Sequence, residues 1–168
     1  GNNSCGANSI VYGSTREFVI EITGILSDGS KTTFKNIPLG DAASSNILVN
    51  KINQFFIREL SDKELEQEIE KEYPKKNIHR RNTGYAADLV LNELKRGYLD
   101  LTKILAGSEG TLMITTELKL RLVDIPPSRS VMIIPHFQSI HECMLAVVTI
   151  MAHRPYTCEL MDRTILSC

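Results

Sequence analysis

Between residues 111 and 122 the side chains alternate. Leu112, Ile114, Leu118, Leu120 and Leu122 hold even positions; Met113, Thr115, Glu117, Lys119 and Arg121 hold odd ones. Successive residues of a β-strand point to opposite faces, so this run predicts a strand with one dry face and one more polar face. Phe18, Ile20, Ile22 and Leu26 alternate in the same way with Glu21 and Thr23, which predicts a half-buried strand. Asp28-Gly29 follows, the dipeptide favoured in type I′ hairpin turns, and residues 31–34 read as the returning strand.

Helical periods separate these strands. Leu48, Ile52, Phe55, Phe56 and Leu60 recur at helical spacing within residues 45–60. Ser61-Asp62-Lys63-Glu64 has the form of a capping box, with the Ser hydroxyl as the acceptor for an orphan N–H. The helix it opens should end near Tyr73, because Pro74 disfavours helical geometry just before it. Only Leu65 and Ile69 give that helix an apolar side, so it should lie at the surface. Residues 85–95 predict another helix. Pro126-Pro127 interrupts regular structure and marks a boundary. Beyond it, residues 131–134 read as an apolar strand. Ser139 and Glu142 form a second capping box, opening a helix with Ile140, Met144, Val147, Val148 and Met151 inward. Residues 156–161 read as a further strand. A strand–helix–strand unit of this size cannot bury both sheet faces, so it reads as the first piece of a second domain. The expectation is an α+β fold: an antiparallel sheet with flanking helices over residues 1–125, then the start of another domain over 129–168.

Composition excludes several functions. A net charge of −1 gives no reason to expect a nucleic acid or an anionic membrane as partner. Acidic residues gather in 59–72 and basic ones in 75–81, the pattern of a solvated helix followed by a basic loop. Cys5, Cys143, Cys158 and Cys168 lack C-x-x-C spacing and read as free thiols in a reducing compartment. The expected location is in the cytoplasm, or peripherally at a membrane; no apolar run reaches the ~20 residues of a span. His136, His141 and His153 lack the H-x-x-x-H spacing of a metal site. The chain opens without Met on a Gly/Asn/Ser motif, which reads as a cut through a longer protein.

Three stretches could carry chemistry. The first is Gly1-Asn2-Asn3-Ser4-Cys5-Gly6 with Tyr12-Gly13: glycines let a backbone approach a ligand, and short polar side chains can donate to phosphate oxygens. The second is Gly107-Ser108-Glu109-Gly110-Thr111, which lacks the spacing and Lys of a P-loop. The third is Arg80-Arg81-Asn82-Thr83-Gly84-Tyr85, a basic pair before a turn, able to meet an anion. Taken singly, the first and third read more readily as a turn and a solvated loop than as ligand sites, and the second is equally a tight turn feeding a strand. No nucleophile elbow, carboxylate pair or other catalytic group stands out, and no catalytic residue is assigned.

In combination and in order, these stretches resemble a known family. The run from Gly1 to Gly6, then Tyr12-Gly13-Ser14-Thr15-Arg16, then Ile25-Leu26-Ser27-Asp28-Gly29, is similar to the FAD-binding domain of the vanillyl-alcohol oxidase/p-cresol methylhydroxylase (PCMH) type. Asn82-Thr83-Gly84-Tyr85 and Lys103-Ile104-Leu105-Ala106-Gly107-Ser108-Glu109-Gly110-Thr111-Leu112 resemble its second signature. Glu159-Leu160-Met161-Asp162-Arg163 resembles the early substrate domain of the D-lactate, glycolate and D-2-hydroxyglutarate dehydrogenases. The resemblance implies the second half of an FAD-binding domain and the first part of a substrate domain, with FAD as cofactor and a small D-2-hydroxy acid as substrate. An iron–sulfur cluster is possible elsewhere in long relatives. By position it implies Asn3, Ser4, Gly6, Tyr12 and Gly13 along the flavin and pyrophosphate, Gly107 and Gly110 permitting a turn, and Ile114 offering backbone to the adenine end. Glu109 would brace the turn, and Met113 stands where many relatives have Gly. Arg80 or Arg81 would meet a substrate carboxylate. The competing expectation is a non-catalytic piece that does not hold FAD alone. Such a piece, parted from the remainder of its own chain, should expose apolar surface and self-associate.

Overall fold

A computed structural model describes residues 2–3, 5–75, 78 and 84–168. In chain order these form α1 (Ser9–Tyr12), α2 (Thr15–Phe18), β1 (Val19–Ile25), β2 (Lys31–Lys35), β3 (Ile37–Pro38), α3 (Ile47–Glu59), α4 (Lys63–Glu72), α5 (Ala87–Lys95), β4 (Tyr98–Leu99), α6 (Thr102–Leu105), β5 (Ile114–Leu120), α7 (Ile140–Ala152) and α8 (Arg163–Leu166). The mixture is α+β, with a small antiparallel sheet in the order β2-β1-β5. Two compact units result: Ser14–Leu122 with Asn2 and Asn3, and Cys5–Gly13 with Val123–Cys168.

In the first unit the β1–β2 hairpin forms where the alternation and the Asp-Gly dipeptide place it, but with a different turn. Leu26 N–H donates to the Ser30 carbonyl at 3.0 Å and Gly29 N–H to the Leu26 carbonyl at 2.9 Å, closing a three-residue loop. A type I′ turn needs positive φ at both central residues, and of Asp28 and Gly29 only Gly29 has it, at +80°. Asp28 Oδ1 accepts instead from the Ser30 hydroxyl at 2.6 Å and its N–H at 2.9 Å. Those bonds, the hydroxyl first, hold the Asp28 carboxyl below its ordinary value. Their contribution is therefore present above the unfolded pKa and lost as pH falls through the folded one.

Phe34, Ile22 and Leu118 stand in one row across β2, β1 and β5. Phe34 and Ile22 are buried under residues of the helices, among them Val90, Leu91 and Ile104, while Leu118 is 49% exposed. The cover stops short of β5, and all seven residues of that strand are exposed. This corrects the expected dry face of residues 111–122. Alternation shows that a face can be buried, and none of the described residues of this unit covers the outer strand. The alternation is also broken by a bulge. Glu117 faces Thr23 but Thr115 faces Gly24, so Thr116 is an extra residue. One inserted residue reverses the pleat. Ile114, opposite Ile25, thus lies on the other face from Leu118, opposite Ile22. Ile20 is likewise the extra residue between Val19 and Glu21 and is exposed rather than packed beside Ile22.

α3 begins at Asn46, whose side chain accepts from Val49 N–H. α4 is capped by Asp62, not by Ser61. Asp62 Oδ1 accepts from Glu64 N–H at 2.9 Å and Leu65 N–H at 3.0 Å, whereas the Ser61 hydroxyl turns back to the Ile57 carbonyl at 2.6 Å. Asp62→Ala should therefore cost about 1 kcal/mol and Ser61→Ala less than about 0.5 kcal/mol, the order a urea titration of the two variants would check. Ile69 seats α4 in the core, and Lys95 of α5 bonds Glu66 at 2.6 Å and Glu70 at 2.8 Å on its outer side. Those pairs are solvated and add little.

In the second unit α7 forms where its capping box predicts, with Ser139 Oγ accepting from Glu142 N–H at 3.2 Å. The reciprocal bond runs from Gln138 N–H to Glu142 Oε2 at 3.1 Å. The two flanking strands expected at 131–134 and 156–161 are absent from this described region. A strand exists through its partner's hydrogen bonds, and neither apolar run finds one. Val131, Met132 and Ile133 are more than 80% exposed, and the face of α7 expected to turn inward has no buried residue. No helix among the described residues is long and apolar enough to cross a membrane.

Candidate functional site

Arg16 is the most informative residue of the first unit. It lies in α2, only 2% exposed, one residue after a threonine that is in solvent. Its backbone N–H donates to Asn3 Oδ1 at 2.7 Å. Its guanidinium forks: Nε and Nη2 donate to the Ala106 carbonyl at 3.0 and 2.8 Å, and Nη2 to the Gly84 carbonyl at 2.5 Å. A planar guanidinium with several fixed donors can span two carbonyls in this way; an ammonium cannot reproduce the fork. Three stretches singled out in the sequence thereby meet at one buried cation: the Asn loop, the Gly84-Tyr85 turn and the approach to Gly107.

Gly107 completes the junction. Its φ is +99°, and a Cβ built on it would lie 2.7 Å from Arg16 Nη2 and 3.2 Å from Asn3 Cβ. Only glycine fits both the conformation and the space. The following turn keeps a left-handed backbone at Glu109 (φ 51°) and Gly110 (φ 81°). Its brace is Thr111 rather than Glu109. Thr111 N–H and Oγ1 donate to the Ser108 carbonyl at 3.0 and 2.6 Å. Because that hydroxyl hydrogen is committed, Tyr85 donates its own to Thr111 Oγ1 at 2.7 Å, while the Tyr85 carbonyl accepts from the Tyr73 hydroxyl at 2.8 Å. Glu109 is exposed and makes no hydrogen bond among the described residues.

Asn3 is 6% exposed. Accepting from a backbone N–H fixes its oxygen toward Arg16, so the amide nitrogen faces elsewhere, and Nδ2 is buried with no hydrogen-bond partner among the described residues. A buried donor left in that state costs about 1–3 kcal/mol. A ligand oxygen would remove that cost.

Of the residues expected to hold a cofactor, the fold brings together Asn3 and Gly107, with Gly110 further along the turn that Gly107 opens. Ile114 begins β5 and is 68% exposed. Met113, in contrast, points into the core at 5% exposure, its terminal methyl in the place a Cβ on Gly24 would take. Gly6, Tyr12 and Gly13 belong to the second unit. There Gly6 offers its carbonyl to Ser9 N–H at 3.0 Å, and Gly13 closes α1 at φ 69°. The Tyr12 and Tyr156 rings lie 6.3 Å apart at 60°. Desolvation, with Tyr156 adding to it, raises the Tyr12 hydroxyl above its ordinary value. Ser4, Arg80 and Arg81 lie outside the described residues. Among the described residues no group of three His, Cys, Asp or Glu side chains could hold a metal ion. In the sequence, one arginine between Thr15 and Glu17 reads as surface charge, and its place inside the Tyr12–Arg16 signature is the signal that sets it apart.

Against known proteins, the chain is homologous to a segment of dehydrogenases. The relatives are D-2-hydroxyglutarate dehydrogenases. That of Pseudomonas putida is 29% identical over 168 residues, 98% of this chain and 16% of the relative. That of Escherichia coli is 32% identical over 131 residues, 76% of this chain and 12% of the relative. That of Haemophilus influenzae is 31% identical over 137 residues, 76% of this chain and 13% of the relative. The chain thus spans about a sixth or less of the length of these curated relatives. No protein-family profile matches it, and no solved structure does.

Proposed function

We propose that the chain is a segment of an FAD-dependent dehydrogenase that oxidises a D-2-hydroxy acid, with D-2-hydroxyglutarate as the first substrate to try, and that its first unit is part of a PCMH-type flavin-binding domain. The observation that carries this reading is similarity to a D-2-hydroxyglutarate dehydrogenase along 98% of the chain. Two features of the fold fit a bound dinucleotide. Asn3 Nδ2 is a buried donor in want of an acceptor among the described residues, and the turn that follows Gly107 leaves open space beside Gly110. Asn3, Gly107 and Gly110 would hold FAD in the first unit. Ser4, Gly6, Tyr12, Gly13 and Ile114 take the same role by resemblance alone, as Arg80 and Arg81 take that of meeting a substrate carboxylate.

When bound, FAD supplies the two-electron acceptor for oxidation of the substrate alcohol. The chain's own residues bind and orient. Asn3 donates a hydrogen bond, Gly110 leaves the backbone open to the ligand, Gly107 lets the turn pack on Arg16, and Arg16 keeps the parts in place. The test is purification of the full-length protein that contains this chain, with measurement of bound flavin and of dye reduction by D-2-hydroxyglutarate, D-lactate and glycolate. About one FAD per chain and a preference for one of these acids are expected. Flavin-free protein, inert with all three after reconstitution, would end the reading.

The 168 residues alone are a different matter. Exposed apolar residues on β5, α7 and the 131–134 run favour a segment that does not hold the cofactor by itself. Titration of the isolated chain with FAD, read by flavin fluorescence, distinguishes this from a self-sufficient binding unit.

A further inference from the structure

We infer that Arg16 is a positioning residue for the cofactor, acting through the loops it joins rather than by touching the ligand. The inference rests on the flavoenzyme reading above and deepens it. One guanidinium, 2% exposed, holds the carbonyls of Gly84 and Ala106, while the same residue's N–H holds Asn3 Oδ1. The Asn3 amide is consequently turned so that its unpartnered Nδ2 is the end left for a ligand. The Ala106 carbonyl immediately precedes Gly107, so the fork also fixes where the positive-φ turn begins. Tyr85 secures the far end of that turn through Thr111. Both proposed ligand contacts in this unit, the Asn3 amide and the Gly107–Gly110 backbone, therefore take their position from Arg16.

A purely structural arginine would reward any substitution that restores stability. A positioning arginine would not, because the fork sets geometry. Lysine keeps the charge and has donors enough for two carbonyls, but it lacks the second nitrogen, Nε in arginine, that fixes the plane of the fork on Ala106. The experiment compares three full-length holoenzymes: wild type, Arg16→Lys and Leu99→Ala. Leu99 is a core residue, 1% exposed, that makes none of these bonds. FAD dissociation constants are measured well below each melting temperature, together with the visible absorption and circular dichroism of bound flavin.

The expected result is that Arg16→Lys weakens FAD binding about 10- to 100-fold and alters the flavin spectrum. Leu99→Ala should melt earlier yet bind FAD as wild type does. If lysine does not fold, Arg16→Gln is read in the same way, since it buries no ammonium and keeps an N–H donor for Ala106. The inference is overturned if the Arg16 variant binds FAD with wild-type affinity and spectrum, or loses no more affinity than Leu99→Ala. A wild-type protein that takes up no FAD would overturn the flavoenzyme reading itself, and this inference with it. Flavin-loaded wild type with an indifferent Arg16 variant overturns this inference alone.

Discussion

Gly107→Ala is expected to lower the unfolding free energy by about 2–4 kcal/mol. Two independent costs combine. The backbone sits at φ +99°, and the new methyl would meet Arg16 Nη2 at 2.7 Å and Asn3 Cβ at 3.2 Å. A flexible side-chain end would normally swing away, but this one is tied to the Gly84 and Ala106 carbonyls. Gly29→Ala is the control. It has a comparable φ of +80° with open space around it, so it should show the conformational cost alone, about 1 kcal/mol. Urea denaturation of both variants checks the comparison. Equal losses would mean that the Arg16 junction yields freely and that Gly107 is needed for its backbone alone.

The second large effect is expected at Gly24→Ala, also about 2–4 kcal/mol, for a different reason. Gly24 has no positive φ, but a Cβ there would fall on the Met113 methyl and 2.5 Å from the Ile114 carbonyl oxygen. The first obstacle is a side chain and can be removed; the second is backbone of the neighbouring strand and cannot. Met113→Ala alone should cost about 2–5 kcal/mol by emptying its place in the core. The double variant should be less destabilised than the sum of the two, yet clearly less stable than Met113→Ala. A thermodynamic double-mutant cycle measures this coupling. Strict additivity would show that Met113 is not seated over Gly24.

The sequence made legible those elements that depend on their own residues. The β1–β2 hairpin, α3, α5 and α7 follow from period and capping, and even the Asp62 cap misses the predicted Ser61 by one position. Where formation depends on partners, legibility ended. Residues 131–134 have the composition of a strand but no neighbour to bond. The alternation of residues 111–122 is real, but Thr116 bulges within it, and a bulge leaves no mark in a hydrophobic pattern. The candidate site shows the same division. Family resemblance drew attention to Asn3, Gly84 and Gly107 as separate stretches. Their convergence is carried by Arg16, whose partners lie 13, 68 and 90 positions away. Spacings of that kind have no period to detect.

The bond from Arg16 to Ala106 also sets an order of events. Its two ends are 90 residues apart, and at a synthesis rate of 5–20 residues per second the earlier end waits roughly 5–20 s for the later one. β1 and β2 can pair at once, being joined by a short loop, whereas β5 reaches β1 only after the same interval. Over that time Arg16 is a cation on a growing chain: the Gly84 carbonyl is made 68 residues after it and the Ala106 carbonyl 90 residues after it. The charge at the centre of this unit is thus enclosed late in its assembly, and the junction records that the intervening chain has arrived.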